Sequence, residues 1–123
     1  MTRIRRQVGQ TGEEVARAYL EEQGYEILET NYRCPLGEID IIARDRDTVV
    51  LVEVRTRTGF SFGTPEESIT VEKGRRLKRM ALYYQKAVSG CDLPCRLDLI
   101  AVMLSKKNHA LENINHIRGI LAG

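Results

Sequence analysis

A chain of 123 residues, 42% hydrophobic and 29% charged, can bury one core without covalent staples and has the balance of an ordinary globular domain. No apolar run reaches the length of a membrane span, and the N-terminal MTRIRRQVGQTGEE lacks the apolar stretch of a signal peptide. Its three cysteines, Cys34, Cys91 and Cys95, are an odd number, which argues against a disulfide framework. A cytoplasmic protein with no membrane partner is expected. The formal net charge of +2 conceals segregation. Arg3, Arg5 and Arg6 crowd the N-terminus, and EKGRRLKRM concentrates Lys73, Arg75, Arg76, Lys78 and Arg79. Such clusters suit a polyanion, nucleic acid above all, or else form the solvated outer faces of helices.

In chain order, QTGEEVARAYLEEQGY is helical. Thr11 and Glu14 form a capping box, Ala16, Tyr19 and Leu20 recur at helical spacing, and Gly24 ends the helix. YEILETNYR is extended, with Tyr25, Ile27 and Glu29 alternating against Glu26, Leu28 and Thr30. GEIDIIARDRDTVVLVEVRTRTG supplies two apolar strands joined by a polar turn, and TRTGFSFGTPEES has the composition of an irregular loop. Helix resumes from about Thr70 to Val88, with Leu77, Met80, Ala81, Tyr84 and Val88 as its apolar stripe. After breaks at Gly90 and Pro94, CRLDLIAVML is apolar on both faces apart from Arg96 and Asp98, the pattern of an interior strand. NINHIRGI is a weaker last strand. The order predicts one domain spanning residues 1–123, a three-layer α/β/α sandwich around a mixed sheet.

The two apolar strands each carry an acid, Asp40 in EIDII and Glu53 in LVEVR. Alternation places Glu38, Asp40 and Ile42 on one face of the first strand, and Val49, Leu51, Glu53 and Arg55 on one face of the second. A turn centred between Arg46 and Asp47 sets Asp40 opposite Glu53 and Glu38 opposite Arg55. Opposed β-carbons lie about 4.5–5.5 Å apart, so the two carboxylates repel unless a positive charge joins them. Either the pair is an exposed edge with both acids in water, or a hard cation such as Mg²⁺ bridges them. Arg55, returning to the face of Glu53, favours the second arrangement: two acids and a cation, the layout that phosphodiester hydrolysis uses.

GEID followed by VEVR resembles the PD-(D/E)xK nuclease signature. The longer segments GEEVARAYLEEQGYEILETNYR, GEIDIIARD, LVEVRTR, GTPEESITVEKGRRL and RLDLIAV, in that order from about Gly12 to Val102, resemble the YraN family of uncharacterised bacterial proteins. The resemblance implies a restriction-endonuclease-like fold and kinship with Holliday-junction resolvases. By implication the chain is a divalent-metal-dependent endonuclease acting on structured, branched DNA. Asp40 and Glu53 then match the metal-binding acids, with the Val54 carbonyl beside them on Mg²⁺ or Mn²⁺, and Glu13 matches the acid of the first helix. Glu13 also reads as a first-turn acid favoured by the helix dipole.

The chain departs from the signature at Arg55, where lysine is expected. A guanidinium cannot act as a base at any useful pH, so Arg55 is left with electrostatic or orienting work. Lys73, opening the basic helix, is the candidate to stand in if the fold brings it near. The rival reading is a nucleic-acid-binding module of the same fold that has lost catalysis; a third is an interaction domain whose acids pair with Arg55 and Arg57. A homodimer is an open possibility. Cys91 and Cys95, with His109 and His116, fit no standard zinc spacing. Arg96 and Asp98 read either as a buried ion pair or as support for a metal site. Tyr84 belongs to the apolar stripe, while Tyr83 is free to stack on a base.

Overall fold

The computed structural model describes residues 3–59, 69–89 and 93–120. Its elements are α1 (Arg3–Glu22), β1 (Glu26–Cys34), β2 (Gly37–Asp45), β3 (Thr48–Thr58), α2 (Val71–Tyr84), β4 (Cys95–Leu104) and β5 (Leu111–Ile117). A π-helical turn, Gln85–Ser89, continues α2. The five strands form one mixed sheet in the order β1-β2-β3-β4-β5. Only β3 and β4, which flank α2 in the chain, are parallel. A parallel pair needs a long crossover, and α2 lies in it.

Two apolar clusters explain why the helices settle where they do. Ala16 and Leu20 of α1 pack with Ile41, Ala43, Val50, Val52, Val54, Ile100 and Val102 on one face of the sheet. Leu77, Met80, Ala81 and Tyr84 of α2 pack with Ile39, Ile42, Val49, Leu51 and Leu97 on the other. The interior strands β3 and β4 contribute to both clusters, as their unbroken apolar runs require. The chain is therefore an α/β protein with a mixed five-stranded sheet and two main helices. None of its described helices is long and apolar enough to cross a membrane.

The first helix differs from its sequence reading. It begins at Arg3, so Thr11 and Glu14 lie mid-helix and form no capping box, and Glu13 is not a first-turn acid. RIRRQVGQ contains no proline to stop a helix, and Val8 packs against the core cluster, so tertiary contact carries the helix upstream. Its end is as expected. Gly24 has φ 92°, and the Tyr25 N–H donates to the Leu20 carbonyl, closing the last turn. Thr70 caps α2, its hydroxyl accepting from the Lys73 N–H. The expected loop TRTGFSFGTPEES is partly strand, since β3 runs to Thr58; residues 60–68, with Gly90 and Cys91, lie outside the described residues.

The approach of α1 to the sheet is set by a glycine. A β-carbon at Gly12 would overlap the Thr56 side chain on β3. This close approach fixes the height of the neighbouring Glu13 over the strands. Gly12→Ala is expected to displace α1 and cost about 1–3 kcal/mol despite the better helix propensity of alanine. In a Thr56→Ala background part of that stability should return. Urea unfolding of the four combinations checks both, and additive effects would show that the two residues do not meet.

Candidate metal and nucleic-acid site

The β2–β3 hairpin has the expected register, Ile41 opposite Val52 and Asp45 opposite Thr48, about a turn in which Arg46 takes φ 58°. The ladder's last pair is Ile41 with Val52. One step further, where Asp40 would face Glu53, the pairing gives way. The Val54 N–H donates instead to Asp40 Oδ2 at 2.8 Å. Within a strand a residue's N–H and C=O point to the same neighbour, so the Val54 carbonyl is turned towards the same gap.

Alternation also fails here. Ile41 and Ala43 belong to the α1-side cluster, whereas Ile39 joins Ile42 on the α2 side. Asp40 therefore does not share a face with Ile42, as strict alternation requires. The turn of β2 at this point, with its N-terminal end leaving the β3 ladder, brings Asp40 into a cavity of about 190 Å³ that Glu13 and Arg17 of α1 also line. Glu53 is the more enclosed acid, 8% exposed, and looks to the other side. Arg55 donates to its Oε1 at 2.6 Å, and the Lys73 ammonium lies 3.6 Å from the same oxygen. The gap between β2 and β3 thus receives Asp40 with Glu13 from the α1 side and Glu53 with its cations from the α2 side.

The electrostatics show how closely these groups are coupled. Burial, then the charge of Glu53, push Asp40 up to about 7, against the Val54 N–H, which favours the carboxylate. Burial also raises Glu53, although Arg55 and Arg76 oppose it. Glu13 is raised by burial and by Glu38 and Glu53, with hydrogen bonding to Asp40 pulling the other way. Acids are in excess on the α1 side of the gap and cations on the α2 side. Among the described residues no group of three or more His, Cys, Asp or Glu side chains is arranged to hold a metal ion. Two carboxylates and a carbonyl nevertheless suit Mg²⁺, which takes one or two carboxylates and completes its octahedron with water and phosphate oxygens.

The basic helix does not present its charges as one patch. Lys73, Arg76 and Arg79, three residues apart, line a cavity of about 360 Å³ with Thr70 and Glu72. Lys78 lines a separate cavity of about 460 Å³ against Cys95 and Leu97, and Arg75 is exposed. Helical geometry divides the cluster, because residues three apart share a flank and their neighbours do not.

A second polar cluster is only half legible in the sequence. Asp98 is fully buried and accepts from Arg96 Nε at 2.9 Å, from the Gly119 N–H at 3.0 Å and from His116 Nε2 at 2.7 Å. The other ring nitrogen of His116 meets the Tyr19 hydroxyl, and Arg96 also reaches Tyr25. Burial pushes Asp98 up, but the bonds from His116, Arg96 and Gly119 outweigh it and hold the carboxyl below its ordinary value. Asp98 is a structural anchor for β5 and α1, and His116 is committed to it. The legible signal is an acid and an arginine in an otherwise apolar strand. Tyr84 is core, its ring edge-on to Tyr32, and Tyr83 is exposed.

The raised Asp40 makes stability depend on pH in a stated direction. A carboxyl whose folded pKa stands near 7 contributes fully below its ordinary value of 3.8, and that contribution is lost as pH rises through 7. Asp40→Asn keeps an acceptor for the Val54 N–H and removes the charge. It should raise stability at pH 8 by on the order of 2–4 kcal/mol and change it little at pH 4. Urea midpoints at pH 4, 6 and 8 test this; parallel profiles for the two proteins would place Asp40 at an ordinary pKa.

Residues 12–102 match the family described as "Uncharacterised protein family UPF0102". A UPF0102 protein of Moorella thermoacetica is 50% identical over 107 residues, covering 87% of this chain and 89% of the relative. Another, from Caldicellulosiruptor saccharolyticus, is 45% identical over 114 residues, covering 93% and 96%. A third, from Syntrophus aciditrophicus, is 44% identical over 106 residues, covering 86% and 84%. The matched residues run from the glycine that seats α1, through Asp40, Glu53 and Lys73, to β4, and the chain belongs to the UPF0102 family.

Proposed function

We propose that the chain is a divalent-metal-dependent endonuclease of restriction-endonuclease-like fold, acting on structured, branched DNA. The observation that carries this reading is that Asp40 and Glu53 flank, from opposite sides and within electrostatic reach of each other, the point where the β2–β3 ladder opens beside a cationic cavity. Asp40, Glu53 and the Val54 carbonyl are the residues to hold Mg²⁺ or Mn²⁺, which when bound would acidify a water and neutralise phosphate charge. Glu13 lines the cavity of Asp40 and adds a second carboxyl beside it. Arg55, fixed on Glu53, orients that carboxylate and adds positive charge beside the phosphate path. The α2 cations receive the phosphate backbone, and the cavity that Lys73, Arg76 and Arg79 share supports phosphate contact there rather than around the whole helix.

One observation favours the rival reading, a nucleic-acid-binding module without catalysis. Glu53 already has Arg55 and Lys73 as counter-ions, so a metal must compete for it. Cleavage decides between the two. On a panel of branched, flapped, single-stranded and duplex DNA with Mg²⁺ or Mn²⁺, the wild type is expected to cut a branched substrate and Asp40→Ala to abolish cutting. Arg55→Lys should stay within about tenfold of wild type and Arg55→Ala should fall further. DNA binding with no cleavage by any of these proteins would establish the binding module.

Nucleic-acid affinity should also fall steeply with salt, whatever the sequence. Replacing Arg76 and Arg79 together by Ala should reduce the slope of log affinity against log salt by about 2, near one unit for each phosphate no longer neutralised. Replacing Arg75 and Lys78 should reduce it less. Fluorescence anisotropy across a salt series measures both, and equal slopes for the two double variants would mean that the cavity has no special part.

A further inference from the structure

Glu53 is held by two cations that differ in kind. Arg55 comes from the same strand, is 18% exposed and bonds Oε1 at 2.6 Å. Lys73 comes from α2, is 26% exposed and stands 3.6 Å from the same oxygen, a looser pair. Lys73 also lines the cavity of about 360 Å³ with Arg76 and Arg79, so its ammonium stands between a buried carboxylate and a space surrounded by positive charge. Arg76 acts on Glu53 as well, opposing the rise that burial imposes on its pKa. A divalent cation approaching Glu53 alone therefore meets three positive groups. The same cation arriving with a phosphodiester strand meets fewer, because the phosphates give those groups new partners.

We propose that Lys73 is an exchangeable counter-ion that couples metal binding to phosphate binding. In the free protein it neutralises Glu53; with a polyanion in the cavity its ammonium turns to a phosphate, and Glu53 is released to a divalent cation. Each ligand raises the affinity for the other, as linkage requires of any coupling between two sites. A flexible ammonium suits this exchange better than the planar fork of Arg55, which is shaped to stay on its carboxylate. The inference rests on the metal-nuclease reading and adds to it a condition: the metal is taken up with the nucleic acid and only weakly before it.

The test uses the full chain, Ca²⁺ and a 20-base-pair DNA duplex as probes, with Ca²⁺ affinity read by calorimetry with and without saturating duplex. For the wild type the duplex should tighten Ca²⁺ binding about tenfold, a usual size for such coupling. In Lys73→Met, Ca²⁺ should bind the free protein several-fold more tightly than in wild type, and the gain from duplex should shrink below about threefold. Thermal melting confirms that the variant is folded, and Lys73→Arg, which keeps the charge, should retain part of the coupling. If Lys73→Met binds Ca²⁺ no better than wild type, or if duplex leaves wild-type Ca²⁺ affinity unchanged, the exchange is refuted while the metal site stands, provided Asp40→Ala abolishes Ca²⁺ binding. If the wild type binds neither Ca²⁺ nor Mn²⁺ in either state, the metal-nuclease reading fails and the exchange fails with it.

Discussion

The hydrogen bond from the Val54 N–H to Asp40 Oδ2 stands where the backbone ladder between β2 and β3 would otherwise continue. An open backbone donor inside a sheet is costly, and so is a carboxylate without water; each group here satisfies the other. The substitution lets β2 turn away from β3 without leaving the Val54 N–H unpaired. It also keeps an acidic oxygen within the plane of the sheet, beside α1. Every other feature of the site is arranged around that opening. Gly12 lets α1 come close enough to line it with Glu13, and the crossover through α2 brings cations to its other side.

Compensation is uneven across the opening. On the α2 side Glu53 has Arg55, Lys73 and the more distant Arg76 to oppose the effect of its burial. On the α1 side burial raises both Asp40 and Glu13, Glu53 and Glu13 push Asp40 up further, and Arg17 is the cation that lines their cavity. Asp98 shows the opposite solution in the same sheet. It is more deeply buried than either, yet three donors surround it and stabilise its ionised form. The difference separates an anchor from a site. A fully satisfied carboxylate has nothing to offer a ligand, whereas a strained pair lowers its energy by accepting a cation.

What the sequence made legible follows from the range of the interactions involved. The hairpin register is local, set by a short polar turn between two apolar runs, and it was readable to the residue. The end of α1 at Gly24 and the interior place of β4 were readable for similar reasons. The start of α1 was not, because Val8 draws the helix upstream through its packing on the core and the local capping pattern at Thr11 is overridden. Alternation puts Asp40 on the side of Ile42 because it assumes a regular strand, whereas β2 changes face between Ile39 and Ile41. The division of the basic helix was available in its spacing, since Lys73, Arg76 and Arg79 repeat every three residues, but its relation to Glu53 needed the crossover. His116 could not be paired with Tyr19, 97 positions away, from any pattern in the chain.

The parallel pairing of β3 with β4 has a consequence for how the molecule forms. Asp40 and Val54 are 14 positions apart within one hairpin, so closing that loop costs little entropy and Asp40 reaches β3 through short-range contacts. Lys73 reaches Glu53 only when α2 has docked, and the docking belongs to a crossover that must bring β4 alongside β3. Contacts of greater sequence separation are the slower ones to form. The nascent hairpin therefore has only Arg55 to offset its acids until α2 brings Lys73, and it gains its full stability only when the second half of the fold closes over it.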